Sequence, residues 1–373
     1  MEPKRRSSKP STSMSREGDE AAIKDWPTIM TMTSQRKDGA SHYARGKVFA
    51  VAPMIDWTDT RCRFLHRQLS QHALLYTEMI VADAIIHGKR DKLLEYHPQE
   101  HPVALQLGGS DPGKLAEAVR IAADYGYDEI NLNVGCPSDR VQSGTFGACL
   151  MREPETVAAC VEAMKAVARV PVTVKCRIGV DDQEPDAVLP DFIARMVAAG
   201  ADAVWIHARK AWLQGLSPKE NREVPPLDYQ LAYRMKQEFP DLFIGINGGI
   251  TDLDQADEHL EYMDGVMLGR AAYHNSSILA EVDHRIYGAP SRDLDPRALR
   301  DAMMAYAEDY IAKGGRLNHV TRHMVGLFQG LPGARRFRQI LSSDATKPGA
   351  GCEVIAAAFD AIDFERVPTA IDA

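Results

Sequence analysis

A thiol, an amine, an imidazole and several amides recur in this 373-residue chain at the ends of short apolar runs. Cys136 sits in Asn133-Val-Gly-Cys136-Pro137-Ser138, Lys175 near the end of Val172-Thr-Val-Lys175-Cys176, and His207 at the end of Ala203-Val-Trp-Ile-His207. Gln106, Asn131, Asn133 and Asn247 hold matching places. A thiol with an ordinary pKa near ~8.5 is mostly protonated at neutral pH, so it can donate a proton. An ammonium at a strand end is costly unless an anion or a polarised acceptor meets it. The turns Asn247-Gly248-Gly249-Ile250 and Gly269-Arg270 let the backbone approach closely, and N–H groups there favour phosphate. Taken singly, each residue also has a structural reading: an asparagine bonding a loop, a satisfied core histidine, an ordinary turn. Taken together they describe a proton donor beside a phosphorylated cofactor. FMN is favoured, because a lysine at the flavin N1/O2 edge would stabilise the anionic reduced form.

Such residues need a frame. From about residue 46, short apolar runs alternate with amphipathic stretches of helical length. The runs Phe49–Met54, Leu74–Tyr76, Val103–Leu107, Glu129–Val134, Val172–Cys176, Ala203–His207, Phe243–Asn247 and Gly265–Leu268 give eight predicted strands. The clearest helices lie at 112–123, 154–168 and 187–199, two of them opened by proline. Eight strand–helix units in one stretch point to an α/β fold, a (β/α)8 TIM barrel over 46–290. The rival is a doubly wound sheet, but no G-x-G-x-x-G follows the first strand. In a barrel, chemistry sits at the strand C-termini and phosphate binds at loops seven and eight, where the polar residues and glycines fall. Strand alternation places Thr173 and Lys175 on one face and Val172, Val174 and Cys176 on the other. If the apolar set meets the helices, Lys175 points to the barrel mouth.

After residue 290 the strand signal stops. Helical patterns at 295–312, 317–328, 332–342 and 352–362 read as a small C-terminal all-helical domain over 291–373. Residues 1–45, rich in Ser, Thr, Lys and Arg without periodicity, read as a disordered tail. Apolar residues make up 45% of the chain and none of their runs approaches the roughly 18 residues of a membrane span. The six cysteines form no C-x-x-C pair, which points to a reducing, cytoplasmic compartment and away from a metal site. The net charge of −8 argues mildly against nucleic acid, but it is unevenly distributed. Between residues 313 and 347, seven Lys and Arg face Asp344 alone, a basic segment suited to phosphate.

These stretches resemble the tRNA-dihydrouridine synthases. The resemblance rests on Ala52-Pro53-Met54-Ile55, Gln106-Leu-Gly-Gly, Asn131-Leu-Asn133-Val-Gly-Cys136-Pro137, Lys175-Cys-Arg-Ile-Gly, His207-Ala-Arg, Asn247-Gly-Gly-Ile and Gly269-Arg270. It covers about residues 46–345. Two further segments, Gly215 to Tyr229 and Gly333-Ala-Arg335-Arg336-Phe-Arg338, resemble the A subfamily. The resemblance implies an FMN-dependent, NADPH-driven enzyme that reduces the C5=C6 bond of D-loop uridines in tRNA, around position 20. Hydride passes from flavin N5 to C6, and Cys136 protonates C5. It further implies that Pro53, Met54, Ile55, Gln106, Lys175 and His207 surround the flavin ring. Asn247, Gly248, Gly249, Gly269 and Arg270 would hold its phosphate. Asn133, Lys219, Arg222, Arg335 and Arg338 would touch tRNA. A monomer is expected. The alternative is a flavin barrel acting on a free pyrimidine or dihydroorotate-like molecule, which would not need the basic helices. A second alternative is an RNA-binding module whose barrel is no longer catalytic, against which the full Cys136, Lys175 and His207 set counts.

Overall fold

The computed structural model describes residues 42–138, 146–291 and 293–365, and the chain from residue 41 onward forms one compact unit. Eight parallel strands close into a barrel: β1 (Val48–Val51), β2 (Leu74–Tyr76), β3 (Val103–Gly108), β4 (Glu129–Val134), β5 (Val172–Arg177), β6 (Ala203–His207), β7 (Phe243–Asn247) and β8 (Gly265–Leu268). Each pairs with its neighbours in sequence, and β1 pairs with β8 to close the ring. A two-residue strand, Ile80–Val81, adds to the upper end of β3. β1 ends sooner than the sequence suggested, because Pro53 cannot donate to the ladder.

The barrel helices are α1 (Thr60–Leu69), α2 (Ala82–His87), α3 (Pro112–Ala123), α4 (Pro154–Lys165), α5 (Pro185–Ala198), α6 (Tyr229–Glu238), α7 (Leu253–Leu260) and α8 (Arg270–His274). Several starts are written in the sequence. Asp59, Asp111, Asp228 and Asp252 accept hydrogen bonds from backbone N–H groups at the first turns of α1, α3, α6 and α7. Proline opens α3, α4 and α5.

Strand parity divides the apolar residues into two cores. Phe49, Val51, Val172, Val174 and Cys176 pack outward against the helices. Ala50, Tyr76, Ala104, Ala203, Trp205, Phe243 and Met267 fill the barrel interior. Trp205 leaves no room beside it: a Cβ added to Gly245 would lie 2.2 Å from its ring. Tyr43 closes the inner core from below, and here the structure moves a boundary. The expected tail ran through residue 45, but His42–Arg45 form a 3-10 turn under the barrel. Residues 1–41 lie outside the described residues.

Beyond the barrel come α9 (Pro296–Ala312), α10 (Ala334–Ser343) and α11 (Glu353–Phe359). The helix expected at 317–328 is broken into Asn318–Thr321 and a 3-10 turn, Met324–Gly326. Gly326 packs so closely on the backbone of Tyr273 and His274 that a Cβ there would meet both carbonyls within 2.7 Å. The apolar core runs without interruption from the barrel helices into Leu299, Met303, Phe337 and Phe359.

Candidate active site

The strand register fixes which side chains meet at the barrel mouth. Asn133 lies opposite Lys175, Arg177 opposite His207, and His207 opposite Asn247. Lys175 Nζ donates to Asn247 Oδ1 at 2.9 Å, and Asn247 Nδ2 donates to the Met267 carbonyl at 2.7 Å. Asn133 Nδ2 donates to Gln106 Oε1 at 2.7 Å. Asn133 Oδ1 accepts from the backbone N–H groups of Gly135 (3.1 Å) and Cys136 (2.9 Å), which folds the loop that carries the thiol. The Cys136 thiol is half-buried and points to Ser138 Oγ at 3.4 Å. Cys160 and Cys176 are fully buried in the outer core, where burial pushes each thiol up to about 12. Cys136 is therefore the thiol of the mouth, and these two are packing residues.

Arg177 and Arg209 did not stand out in the sequence, although Arg177 shares the parity of Lys175. Arg177 is 2% exposed and binds three carbonyls: Gly135 (3.1 Å), Lys210 (3.2 Å) and Asn221 (2.9 Å). It ties the Cys136 loop to the loop after β6. Buried Asn221 folds that second loop by pairing with both backbone groups of Trp212, at 2.7 and 2.8 Å. Arg209 Nε is buried with no hydrogen-bond partner.

The electrostatics follow from this cluster of cations. Burial, reinforced by the charge of Arg177, pulls Lys175 down to about 7. Burial pulls Arg177 down to about 9. Burial and then the charges of Arg177 and Lys175 hold His207 well below the usual imidazole range, so it is neutral. Among the described residues no carboxylate forms an ion pair with Lys175, Arg177 or Arg209. Uncompensated buried charge is expensive, so a site built this way fits an anionic ligand.

The glycines make the cradle. Gly248 and Gly249 have φ of +112° and +77°. A Cβ on Gly248 would lie 2.6 Å from the His207 ring, and one on Gly249 2.6 Å from Leu227 and the Tyr229 hydroxyl. Only glycine gives both the conformation and the close approach. Gly269 faces Ala52 and Met54 across open van der Waals distance, 3.7 Å from its ideal Cβ to each. Pro53 beside them is half-buried, and Ile55 is 49% exposed.

Other expected residues stand further out. Arg270 pairs with Glu223 and reaches the Arg222 carbonyl at 3.5 Å, so in this arrangement its guanidinium is engaged by the loop after β6. Lys219 and Arg222 are exposed on that loop. Arg335 and Arg338 are exposed at the start of α10, outside the barrel.

The helical region attaches at the rim. Asp59, which caps α1, also accepts from Arg322 at 2.9 Å and His323 at 3.2 Å. Burial pushes this carboxyl up, but His323 and Arg61 more than offset it, so it stays below the usual carboxylate range. Tyr273 of α8 meets His323 at 3.2 Å, and Phe64 of α1 stacks on Tyr306 of α9 at 4.2 Å. The loop between β1 and α1 and the helix after β8 thus carry the helices on the same end of the barrel as the Cys136 loop.

The chain is 56% identical over 321 residues to the tRNA-dihydrouridine(20/20a) synthase of Shewanella oneidensis, covering 86% of this chain and 96% of that one. It is 56% identical over 319 residues to the enzyme of that name from Escherichia coli strain K12, covering 85% and 92%. Morphinone reductase aligns structurally with a TM-score of 0.47 at 14% identity, over 68% of this chain and 88% of its own. The family model for dihydrouridine synthase (Dus) matches residues 50–363, so the chain belongs to the dihydrouridine synthase family.

Proposed function

We propose that the protein reduces the C5=C6 bond of D-loop uridines in tRNA, around position 20, giving 5,6-dihydrouridine, with FMN as resident cofactor and NADPH as reductant. The observation that carries this reading is a half-buried thiol, Cys136, on a loop at the edge of a mouth where half-buried Lys175 and buried Arg177 rest on neutral acceptors. Bound in that mouth, FMN supplies the hydride for uracil C6.

The chain's own residues do the rest. Gln106, Lys175 and His207 hold the flavin ring, with Pro53, Met54 and Ile55 along its side. Asn247, Gly248, Gly249, Gly269 and Arg270 form the phosphate cradle, Arg270 by exchanging its Glu223 partner for phosphate. Negative charge that builds on the uracil O4 and C5 side is met by the proton of Cys136, delivered to C5. Neutral His207 donates or accepts a hydrogen bond without adding a further cation.

A uridine inside the tRNA fold cannot reach a barrel mouth, so the base is turned out of its stack. Asn133, Lys219 and Arg222 flank the entry, and Arg335 and Arg338 on α10 hold tRNA phosphates at a distance. The helical region, residues 291–373, acts as the grip, and its attachment to the rim orients the bound tRNA. The protein acts as a monomer in this reading. Free thiols at all six cysteines suit a reducing cytoplasm.

The purified protein should be yellow, with oxidised-flavin absorption. Unmodified tRNA incubated with protein and NADPH should gain 2 Da at a D-loop uridine. Equal rates on free uracil and on tRNA would overturn the tRNA reading in favour of a small-molecule pyrimidine reductase.

A further inference from the structure

A continuous line of polar side chains runs up the barrel interior from its floor to the Cys136 loop, and its lower members, Glu129, Thr173 and Asn131, have no part in the reaction as read above. Glu129 opens β4 and is fully buried. Its Oε1 accepts from Tyr76 and Thr173, each at 2.5 Å. Its Oε2 accepts from Tyr43 at 2.7 Å and meets His42 Nε2 at 3.0 Å. Thr173 Oγ1 in turn accepts from Asn131 Nδ2 (2.8 Å), and Asn131 Oδ1 from Gln106 Nε2 (2.8 Å). Gln106 Oε1 accepts from Asn133 Nδ2 (2.7 Å), and Asn133 Oδ1 accepts from the Gly135 and Cys136 backbone. Thr173, Asn131 and Gln106 are at most 1% exposed, and Asn133 is 8% exposed, so water does not substitute for these partners.

The two ends of the line run in one direction only. The carboxylate can only accept, and the peptide N–H groups can only donate. Each hydroxyl and amide between them therefore has one orientation that satisfies the whole line. We infer that Glu129 is a positioning residue which, through Thr173, Asn131, Gln106 and Asn133, holds the Cys136 loop in its working geometry from the barrel floor. The last link sets the distance of the thiol from whatever lies over Gln106 and Lys175. Charge-assisted bonds at the carboxylate end are the strong ones, and hydrogen bonds in a line strengthen one another.

The effect on turnover rests on the reading of Cys136 as proton donor, whereas the effect on the loop does not. Two measurements therefore go together, made on the flavin-loaded protein. Protein labelled with 15N-cysteine gives an amide signal for Cys136, which Cys136→Ala identifies by its loss. Thr173→Val keeps the side-chain shape and cuts the line; Thr173→Ser restores the hydroxyl. In Thr173→Val the Cys136 amide proton should move upfield, and kcat on tRNA should fall on the order of tenfold. KM for tRNA should stay within about twofold, since Thr173 is buried below the mouth and out of reach of bound tRNA. Thr173→Ser should restore both signal and kcat. A Thr173→Val protein with the parent's Cys136 signal overturns the inference. If that variant does not fold, Glu129→Gln, which removes the charge and keeps the shape, is read in the same way, and an unmoved signal there overturns it. A moved signal with unchanged kcat overturns the positioning role and leaves only a structural line. Full activity in Cys136→Ala, by contrast, overturns the proton-donor reading and leaves the signal test standing.

Discussion

The floor and the mouth of this barrel are both polar, and they are finished in opposite ways. At the floor, a buried carboxylate meets four partners from Tyr43, Tyr76, Thr173 and His42. At the mouth, Lys175 and Arg177 rest on a side-chain amide and backbone carbonyls, and Arg209 keeps a buried N–H with no partner. At one end a carboxylate takes every donor around it; at the other, cations meet only neutral acceptors.

The sharpest way to break this contrast is to remove Cys136, the mouth residue proposed to move a proton. Cys136→Ala should lower dihydrouridine formation about 10²–10⁴-fold while tRNA binding by filter retention stays near the parent's. An unchanged product yield by mass analysis would remove Cys136 from the chemistry.

The next test is of stability and should give opposite signs at the two ends. Glu129→Ala leaves buried donors unpaired and should cost about 3 kcal/mol or more, a drop in Tm of roughly 10 °C. Lys175→Met removes a half-buried cation that has no carboxylate partner, and should stabilise the apoprotein at pH 7 by about 1–3 kcal/mol while weakening flavin binding. Thermal melts of flavin-free and flavin-loaded forms read both. Equal losses in the two flavin-free variants would erase the distinction.

A pH series sharpens it further. Lys175 titrates at about 7 when folded and near ~10.4 when unfolded, so between these values the unfolded chain binds more protons. Stability of the apoprotein should therefore rise with pH from about 7 to 10, and Lys175→Met should flatten that part of the rise. A bound anion should reduce it too, by raising the folded pKa. Urea midpoints across that range, parent against variant, isolate the contribution.

The smallest effect belongs to the exposed arginines. tRNA affinity should fall steeply with salt, and Arg335→Ala with Arg338→Ala should reduce the slope of log K against log salt by about 1–2. A flat slope in the parent would deny the helices their grip.

The sequence made much of the mouth readable because strands impose a period of two. Once Val172, Val174 and Cys176 were assigned outward, Lys175 had to point to the mouth, and it does. The same period carries Arg177, but a second cation on one strand invites a surface reading, and only the three carbonyls it meets show otherwise. Glu129 was opaque for a different reason. It opens its strand, where an acid is ordinary, and its partners come from 42, 43, 76 and 173, a closure no local pattern reveals. His42 and Tyr43 were lost with the tail for the same reason. The break in the helix expected at 317–328 also depends on packing far along the chain, against Tyr273 and His274.

One carboxylate, Asp59, both caps α1 and anchors Arg322 and His323. Its two oxygens divide the work: Oδ1 receives the first N–H groups of α1, and Oδ2 receives the Arg322 guanidinium. Removing that one side chain would therefore loosen the start of a barrel helix and the seam to the helical region together.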